Sequence, residues 1–412
     1  MSEQFDIVII GGGLVGTSLA LALLPLKLKI AIVETHHEKP IHSSQLDARS
    51  LALAYGSSKI LQGMNLWQFL QDRVTPIKNI HVSDKGHFGM VRLSAEQAKV
   101  EALGYVVEIS TLLEMLYQQL VASEVTQYAP ATLLNLTQAE DYVELKIDTT
   151  TGIKSIQTKL ALGADGSKST VRQLLGIDSH EHDYEQVAIV SNIALKRDHD
   201  NQAYERFTSH GPMALLPLAD KKMAMIWTVK QSMASEILAQ SDDKFLKNLQ
   251  SSFGYRLGRF EAIGKRQSYP LKQLEVSSHY RGRAALIGNS AHSLHPVAGQ
   301  GFNLSMRDIA GLVSVIADQH YKQLPLDETV FERYIELREP DHRTMLKVTD
   351  SLVKIFSTET ALCSLPRNLA LHKVERFDGF KHEINSLMMG VRGRLTRLAR
   401  GLPLEQDYAH YD

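Results

Sequence analysis

The chain has 412 residues, long enough for more than one hydrophobic core, and its 45 Lys and Arg against 46 Asp and Glu leave a net charge of −1. That balance supplies no field to steer nucleic acid, so no nucleic-acid partner is expected, while 44% hydrophobic and 22% charged residues are those of a soluble globular protein. The single cysteine, Cys363, excludes an internal disulfide, and with no recognisable cleavable leader the expected setting is the reducing cytoplasm.

The first element is the uncharged stretch VIIGGGLVGTSLALALLPL, Val8 to Leu26, which at about 1.5 Å per residue approaches the thickness of a bilayer core. Gly11, Gly12, Gly13 and Gly16 each cost a helix roughly 1 kcal/mol, Pro25 closes the run, and Glu3 and Asp6 stand where an anchor wants positive charge. A strand, a tight turn and a short helix are predicted instead. FDIVII reads as a strand buried on both faces. Gly11, Gly13 and Gly16 fall on G-x-G-x-x-G, in which the glycines allow the turn, the approach of a pyrophosphate and the packing of helix on strand. A second strand, Ile30 to Val33, ends in Glu34, where a carboxylate would accept hydrogen bonds from an adenosine ribose. The pattern predicts a dinucleotide pocket and does not decide between NAD and FAD.

Further along, LDARSLAL places Arg49 soon after the second strand, and IHVSDKGHFGMVRLS (Ile80 to Ser94) reads as strands. LALGADGSKSTVRQLLG sets Asp165 and Gly166 between a small-residue strand and a helix. From roughly 179 to 277 strand alternation takes over, with ADKK (Ala219 to Lys222) as a hairpin turn. Met213, Leu215 and Trp227 are candidates for lining a pocket there, with core packing the heavier reading. The stretch from Arg283 to Asp308 begins as a buried strand, turns at Gly288 and Asn289, and carries Pro296, Gly299, Gly301, Phe302 and Asn303 toward an apolar helix. Unpaired amides of a helix starting near Asn303 would aim a positive dipole into the GQGF turn. His292 and His295 lie three apart with Asp308 downstream, but a zinc site wants three or four ligands, so no metal is expected. After Pro340 the chain reads as helices. HEINSLMMGVRGRLTRLARG spaces Ile384, Leu387, Met388, Val391, Leu395 and Leu398 by three and four residues, as a docking or oligomer helix or, alternatively, a membrane-surface helix.

In this order, these stretches resemble the aromatic-ring hydroxylases, the single-component FAD monooxygenases, over nearly the full length. HPVAGQGFN, HVSDKGHFG and LGYVVEI are similar to the ubiquinone-biosynthesis hydroxylases within that group. The resemblance implies an α/β fold in which a Rossmann-like FAD-binding domain (1–79, 101–178, 278–345) is interleaved with a mostly antiparallel β-sheet substrate domain (80–100, 179–277), followed by a helical C-terminal region (346–412). It implies FAD held by Gly11, Gly13, Gly16, Glu34, Arg49, Asp165, Gly166, Asn289, Pro296, Gly299, Gly301, Phe302 and Asn303. The family usually has Asp where Asn289 stands, and many relatives carry Arg or Gln where Ile109 aligns.

The implied reaction uses NAD(P)H as a transient co-substrate and O2 through a flavin hydroperoxide. It hydroxylates the ring of a prenylated phenol, of the 2-polyprenyl-6-methoxyphenol type, in ubiquinone biosynthesis. The cofactor carries the chemistry, so the protein must supply a dry cavity, and no catalytic side chain is assigned. Other ubiquinone-biosynthesis proteins, a second copy of the chain and the inner face of the membrane, by peripheral contact, are the partners this implies. Two alternatives stand beside it: a hydroxylase of a small soluble aromatic acid, with Arg206 pairing the carboxylate, and a subunit that holds FAD without turnover. Trp67 and Trp227 are too far apart for the paired tryptophans of a flavin halogenase.

Overall fold

The computed structural model describes residues 3–36, 49–295, 299–357 and 361–404, so Pro296 lies outside the described residues. The uncharged N-terminal run forms a strand (Glu3–Ile10) and a helix (Leu14–Leu23), and among the described residues no helix is long and apolar enough to cross a membrane. The strand enters the middle of an eight-stranded sheet ordered Tyr280–Arg281, Ala284–Leu286, Gly152–Gly163, Glu3–Ile10, Ile30–Val33, Thr126–Tyr128, with an antiparallel ribbon (Ala131–Gln138, Val143–Thr149) on Gly152–Gly163. From Ile7 to Ile10 alternate side chains of the first strand serve two cores. Ile7 and Ile9 pack under the helices Leu14–Leu23, Ile109–Val121 and Gln300–Tyr321, while Phe5, Val8 and Ile10 face the ribbon residues Leu133, Leu145 and Ile147. Burial on both faces explains the unbroken apolar run.

The second sheet has nine strands. From one edge run His292–Ser293, Gln267–Val276, Ser179–Leu195, Lys222–Lys230, Gly211–Leu218, Gln202–Thr208, Asn79–Asp84 and Met90–Ser94, with Phe260–Ile263 beside Ser179–Leu195. Its pairings are antiparallel except that between Gln202–Thr208 and Asn79–Asp84. The predicted hairpin closes between Leu218 and Lys222 through Asp220 and Lys221, both at positive φ. One face of this sheet packs Met213, Leu215, Met225 and Trp227 on Phe245, Leu249 and Phe253 of the helix Asp242–Phe253. Met213, Leu215 and Trp227 are therefore core residues, and the opposite face, with Ala214, Leu216 and Ile226, borders a cavity. A small third sheet joins Ser50–Ala54, Gly104–Glu108 and Thr75–Ile77.

The C-terminal helices are Thr329–Ser357, Ala361–Arg376 and Asp378–Met388. The first runs through Pro340 without ending, because Arg338, Asp341 and His342 on either side of the proline are fastened to Arg307 and Asp308 of the helix Gln300–Tyr321. The expected amphipathic helix through Leu398 stops at Met388. Gly390 and Gly393 take positive φ (70° and 81°), and the chain turns back to dock on its own helix Tyr55–Gly63, where Leu398 and Ala399 are buried.

Candidate active site

Register brings the sequence motifs to one edge. Ile10 pairs with Gly163 and with Val33, and Gly163 pairs with Leu286, so these parallel strands end together. The loops that follow, Gly11–Gly13, Glu34, Ala164–Gly166 and Ile287–Asn289, therefore emerge side by side, where open α/β sheets bind ligands.

The glycines of the first turn have two different uses. At Gly11 (φ 106°) a Cβ would lie 2.4 Å from the Ala164 carbonyl oxygen, and at Gly16 it would lie 1.9 Å from that of Gly11, so both positions permit backbone crossings. At Gly13 a Cβ would meet nothing within 4 Å. Gly13 caps the helix Leu14–Leu23 without a side-chain hydrogen bond and borders the cavity, which leaves the first-turn amides open to an anion. Glu34 is held against the turn: Gly12 N–H donates to Oε2 (2.5 Å) and His36 N–H to Oε1 (2.9 Å).

Asp165 accepts the Val171 amide at Oδ2 (3.0 Å), whereas its Oδ1 is buried with no partner among the described residues. A buried acceptor in that state wants a donor such as a hydroxyl. Gly166 (φ 80°) and Asn289 border the same space, as does Arg49, whose guanidinium donates to the Tyr269 hydroxyl at 3.0 Å. Gly299 (φ 60°) opens the helix Gln300–Tyr321, again with no side-chain cap and no acidic residue in the first turn, and Gly301 leaves open space where a Cβ would be. Gly299, Gly301 and Phe302 line the cavity, and so does Ile109. Asn303 lines it too, with its side-chain amide engaged by backbone and Ser57. Its Nδ2 donates to the carbonyls of Ala52 and Gly299, and its Oδ1 accepts from Ala54 N–H and Ser57 Oγ, pinning this helix start to the strand Ser50–Ala54.

One cavity of about 830 Å³ runs from Gly13 past these loops into an apolar chamber. The roof is the second sheet, with Ile80, Val82, Ala214 and Leu216, and the far wall comes from the C-terminal helices, with Leu371, Ile384 and Met388. Neither the small-residue face nor the helical wall is marked in the sequence by a motif. Glu205 also faces this chamber, and burial pushes its carboxyl up to about 8. Arg206, its neighbour, turns to the other face and donates to Ser252 O and Ser83 Oγ, so the residue expected to pair an acidic substrate does not border the cavity.

His292 and His295 do not converge. His295 meets Gln186 (3.2 Å) and the Tyr184 ring, and burial lowers it to about 4. His292 meets Asp308 (2.8 Å) together with His342 (2.6 Å), which lies too far along the chain to be read as a partner. These three side chains have the composition of a metal site, but Arg338 also bonds Asp308, at 2.8 Å. Burial alone would raise Asp308; His342 and Arg338 outweigh it and hold the carboxyl well below its usual range. The cluster is a polar clamp between two helices.

Two open helix starts border one cavity that widens into an apolar chamber, and an unsatisfied carboxylate oxygen lies on the loop beside Gly166, a donor set that suits a phosphate-bearing dinucleotide with free hydroxyls. The FAD binding domain family matches residues 4–340. Ubiquinone hydroxylase UbiL of Rhodospirillum rubrum is 33% identical over 97% of this chain and 93% of its own length, and 3-demethoxyubiquinol 3-hydroxylase of Escherichia coli is 30% identical over 95% and 100%. The crystal structure of p-nitrophenol 4-monooxygenase PnpA from Pseudomonas putida, 16% identical, superposes with a TM-score of 0.77 over 95% of this chain and 100% of that one, which shows a shared fold. The chain belongs to the FAD-dependent monooxygenase family that includes these ubiquinone hydroxylases, and FAD is its cofactor. The donor set fits that group: uncapped amides suit its pyrophosphate, and the free Asp165 oxygen suits a ribityl hydroxyl.

Proposed function

We propose that the chain hydroxylates the ring of a prenylated phenol in ubiquinone biosynthesis, with NAD(P)H as a transiently docking reductant. The observation that carries this reading is the continuity of the cavity from the Gly13 turn to the chamber under the second sheet. FAD would lie along the strand edge, its adenosine end at Glu34, its phosphates at Gly11, Gly13 and Gly16, its ribityl chain by Asp165, Gly166 and Asn289, with Arg49 alongside. Its ring would lie against Gly299, Gly301 and Phe302, with Asn303 fixing that loop. Bound and reduced, FAD supplies activation of O2 and transfer of one oxygen atom. The chain holds the acceptor ring, excludes water with the apolar roof and wall, and offers the positive end of a 22-residue helix to the charge of the reduced ring. The test is anaerobic bleaching of the purified yellow protein by NADPH or NADH, then a mass increase of one oxygen in a short-chain 2-prenyl-6-methoxyphenol. Protein that bleaches and never forms that product overturns the substrate class.

Peripheral contact with a membrane belongs to the same proposal. Leu369 and Phe380 are exposed on the helices that supply the chamber wall, and Phe377 is exposed between them, next to the exposed cations Lys373 and Arg376. Such a pairing suits an anionic interface from which a lipid tail would reach the chamber.

A further inference from the structure

Glu205 sits in the strand Gln202–Thr208, opposite Ala214 on one side and Val82 on the other. Its neighbours along the chamber face, Ala203, Phe207, Leu216 and Ile80, are all apolar. No hydrogen bond or ion pair reaches its carboxylate among the described residues, and burial is the sole influence on its ionisation. Of the other titratable residues along the cavity, Arg49 is engaged by Tyr269, and the Tyr204 ring packs on His81 and Phe253. An uncompensated carboxyl in an apolar wall costs stability, and binding cavities are where such a cost is tolerated.

We propose that Glu205 is the catalytic base of this oxygenase, taking the hydroxyl proton of the phenol so that the ring accepts oxygen as a phenolate. The inference rests on the substrate class proposed above. The phenolic O–H bond breaks, its proton passes to a Glu205 carboxylate oxygen, and the electron pair stays on the phenol oxygen, enriching the ring carbons ortho and para to it. One of these carbons receives the oxygen atom. When that carbon loses its hydrogen as a proton and aromaticity returns, Glu205 gives its proton back. The whole reaction balances as phenol, O2, NAD(P)H and one proton giving hydroxylated phenol, NAD(P)+ and water. A carboxyl that ionises near 8 is far better matched to a phenol near 10 than an ordinary one near 4.

The test compares the wild-type holoenzyme with Glu205→Gln and Glu205→Asp, using a short-chain 2-prenyl-6-methoxyphenol and NAD(P)H from pH 6 to 10. Wild-type product formation should rise with pH through about 8. The Gln variant should keep its flavin and its phenol-induced change in flavin absorbance, yet form product roughly 100-fold more slowly, recovering only toward the phenol's own pKa near 10. Asp should restore part of the rate. NAD(P)H consumption without product should increase in the Gln variant. A Gln variant with wild-type product rate and pH profile overturns the assignment while leaving the substrate class standing. Wild-type protein that makes no product overturns the substrate class and the assignment with it.

Discussion

Gly13 and Gly16 stand three residues apart and should fail in different ways. Gly16→Ala puts a methyl into the Gly11 carbonyl, so strand and helix must separate, and a loss of about 2 kcal/mol or more in urea unfolding is expected together with loss of flavin. Gly13→Ala meets no protein atom and keeps an ordinary φ of −74°, so the apoprotein should unfold as the wild type does while FAD affinity falls at least tenfold. Equal flavin affinity in Gly13→Ala and wild type would count against a phosphate at that turn. The glycine pattern was legible because its demands are local. Glu205 was not, because strand alternation separates two faces without saying which one meets a cavity. The clue lies in size: the larger set, Met213, Leu215 and Trp227, fills the core, and the smaller set, with Ala214, leaves room.

The helix Gln300–Tyr321 is anchored at both its start and its middle. Asn303 ties the start to Ser50–Ala54, and Asp308 collects His292, His342 and Arg338 two turns into the helix. Asp308→Asn removes one of the two carboxylate charges, with Asp341, that compensate Arg338, and a destabilisation of about 2–3 kcal/mol is expected in chemical denaturation, with weaker flavin binding as the helix start loosens. Unchanged stability would mean that packing alone holds these helices. The continuity of Thr329–Ser357 through Pro340 follows from the same clamp, and nothing near Pro340 in the sequence announces it. The early stop at Met388 was half legible. Gly390 and Gly393 signal weakness in an isolated helix, but only tertiary structure shows Gly390 closing on Gly56, where a Cβ would come 2.7 Å from the Gly390 carbonyl.

Across the whole molecule, buried ionisable groups set opposing pH trends. Burial lowers His81, His279 and His295 to about 4, 3 and 4, so each binds its proton in the unfolded chain first. Their contribution is present above about 6.5 and is lost as pH falls toward 4. Glu205, raised to about 8, works the other way: its folded form keeps the proton longer, and stability falls as pH climbs from about 4.5 to 8. Thermal unfolding should therefore peak between about pH 6 and 7, and Glu205→Gln should flatten the alkaline side, steepen the rise between about pH 4.5 and 6.5 and leave the fall below about pH 4.5 as it was. An alkaline fall of the same size in Glu205→Gln would place its cause elsewhere. At the same scale, flotation with anionic liposomes should capture the wild type and lose a Phe377→Asp, Phe380→Asp double variant by tenfold or more. Equal flotation of the two would remove that patch as the contact. The parallel strand ends were foreseeable from the motifs, whereas the wall beyond residue 357 was not, because its helices acquire a role only by meeting the second sheet.

That wall couples the chamber to the far end of the chain. The FAD-binding match ends at residue 340, yet Leu371, Ile384 and Met388 border the chamber. The chamber is thus closed by two stretches of one polypeptide: a roof inside the FAD-binding match, with Ile80, Val82, Ala214 and Leu216, and a wall beyond it. Because the Gln300 side chain donates to the Met388 carbonyl, a change in that last wall would be felt at the helix start beside the coenzyme as well as in the chamber.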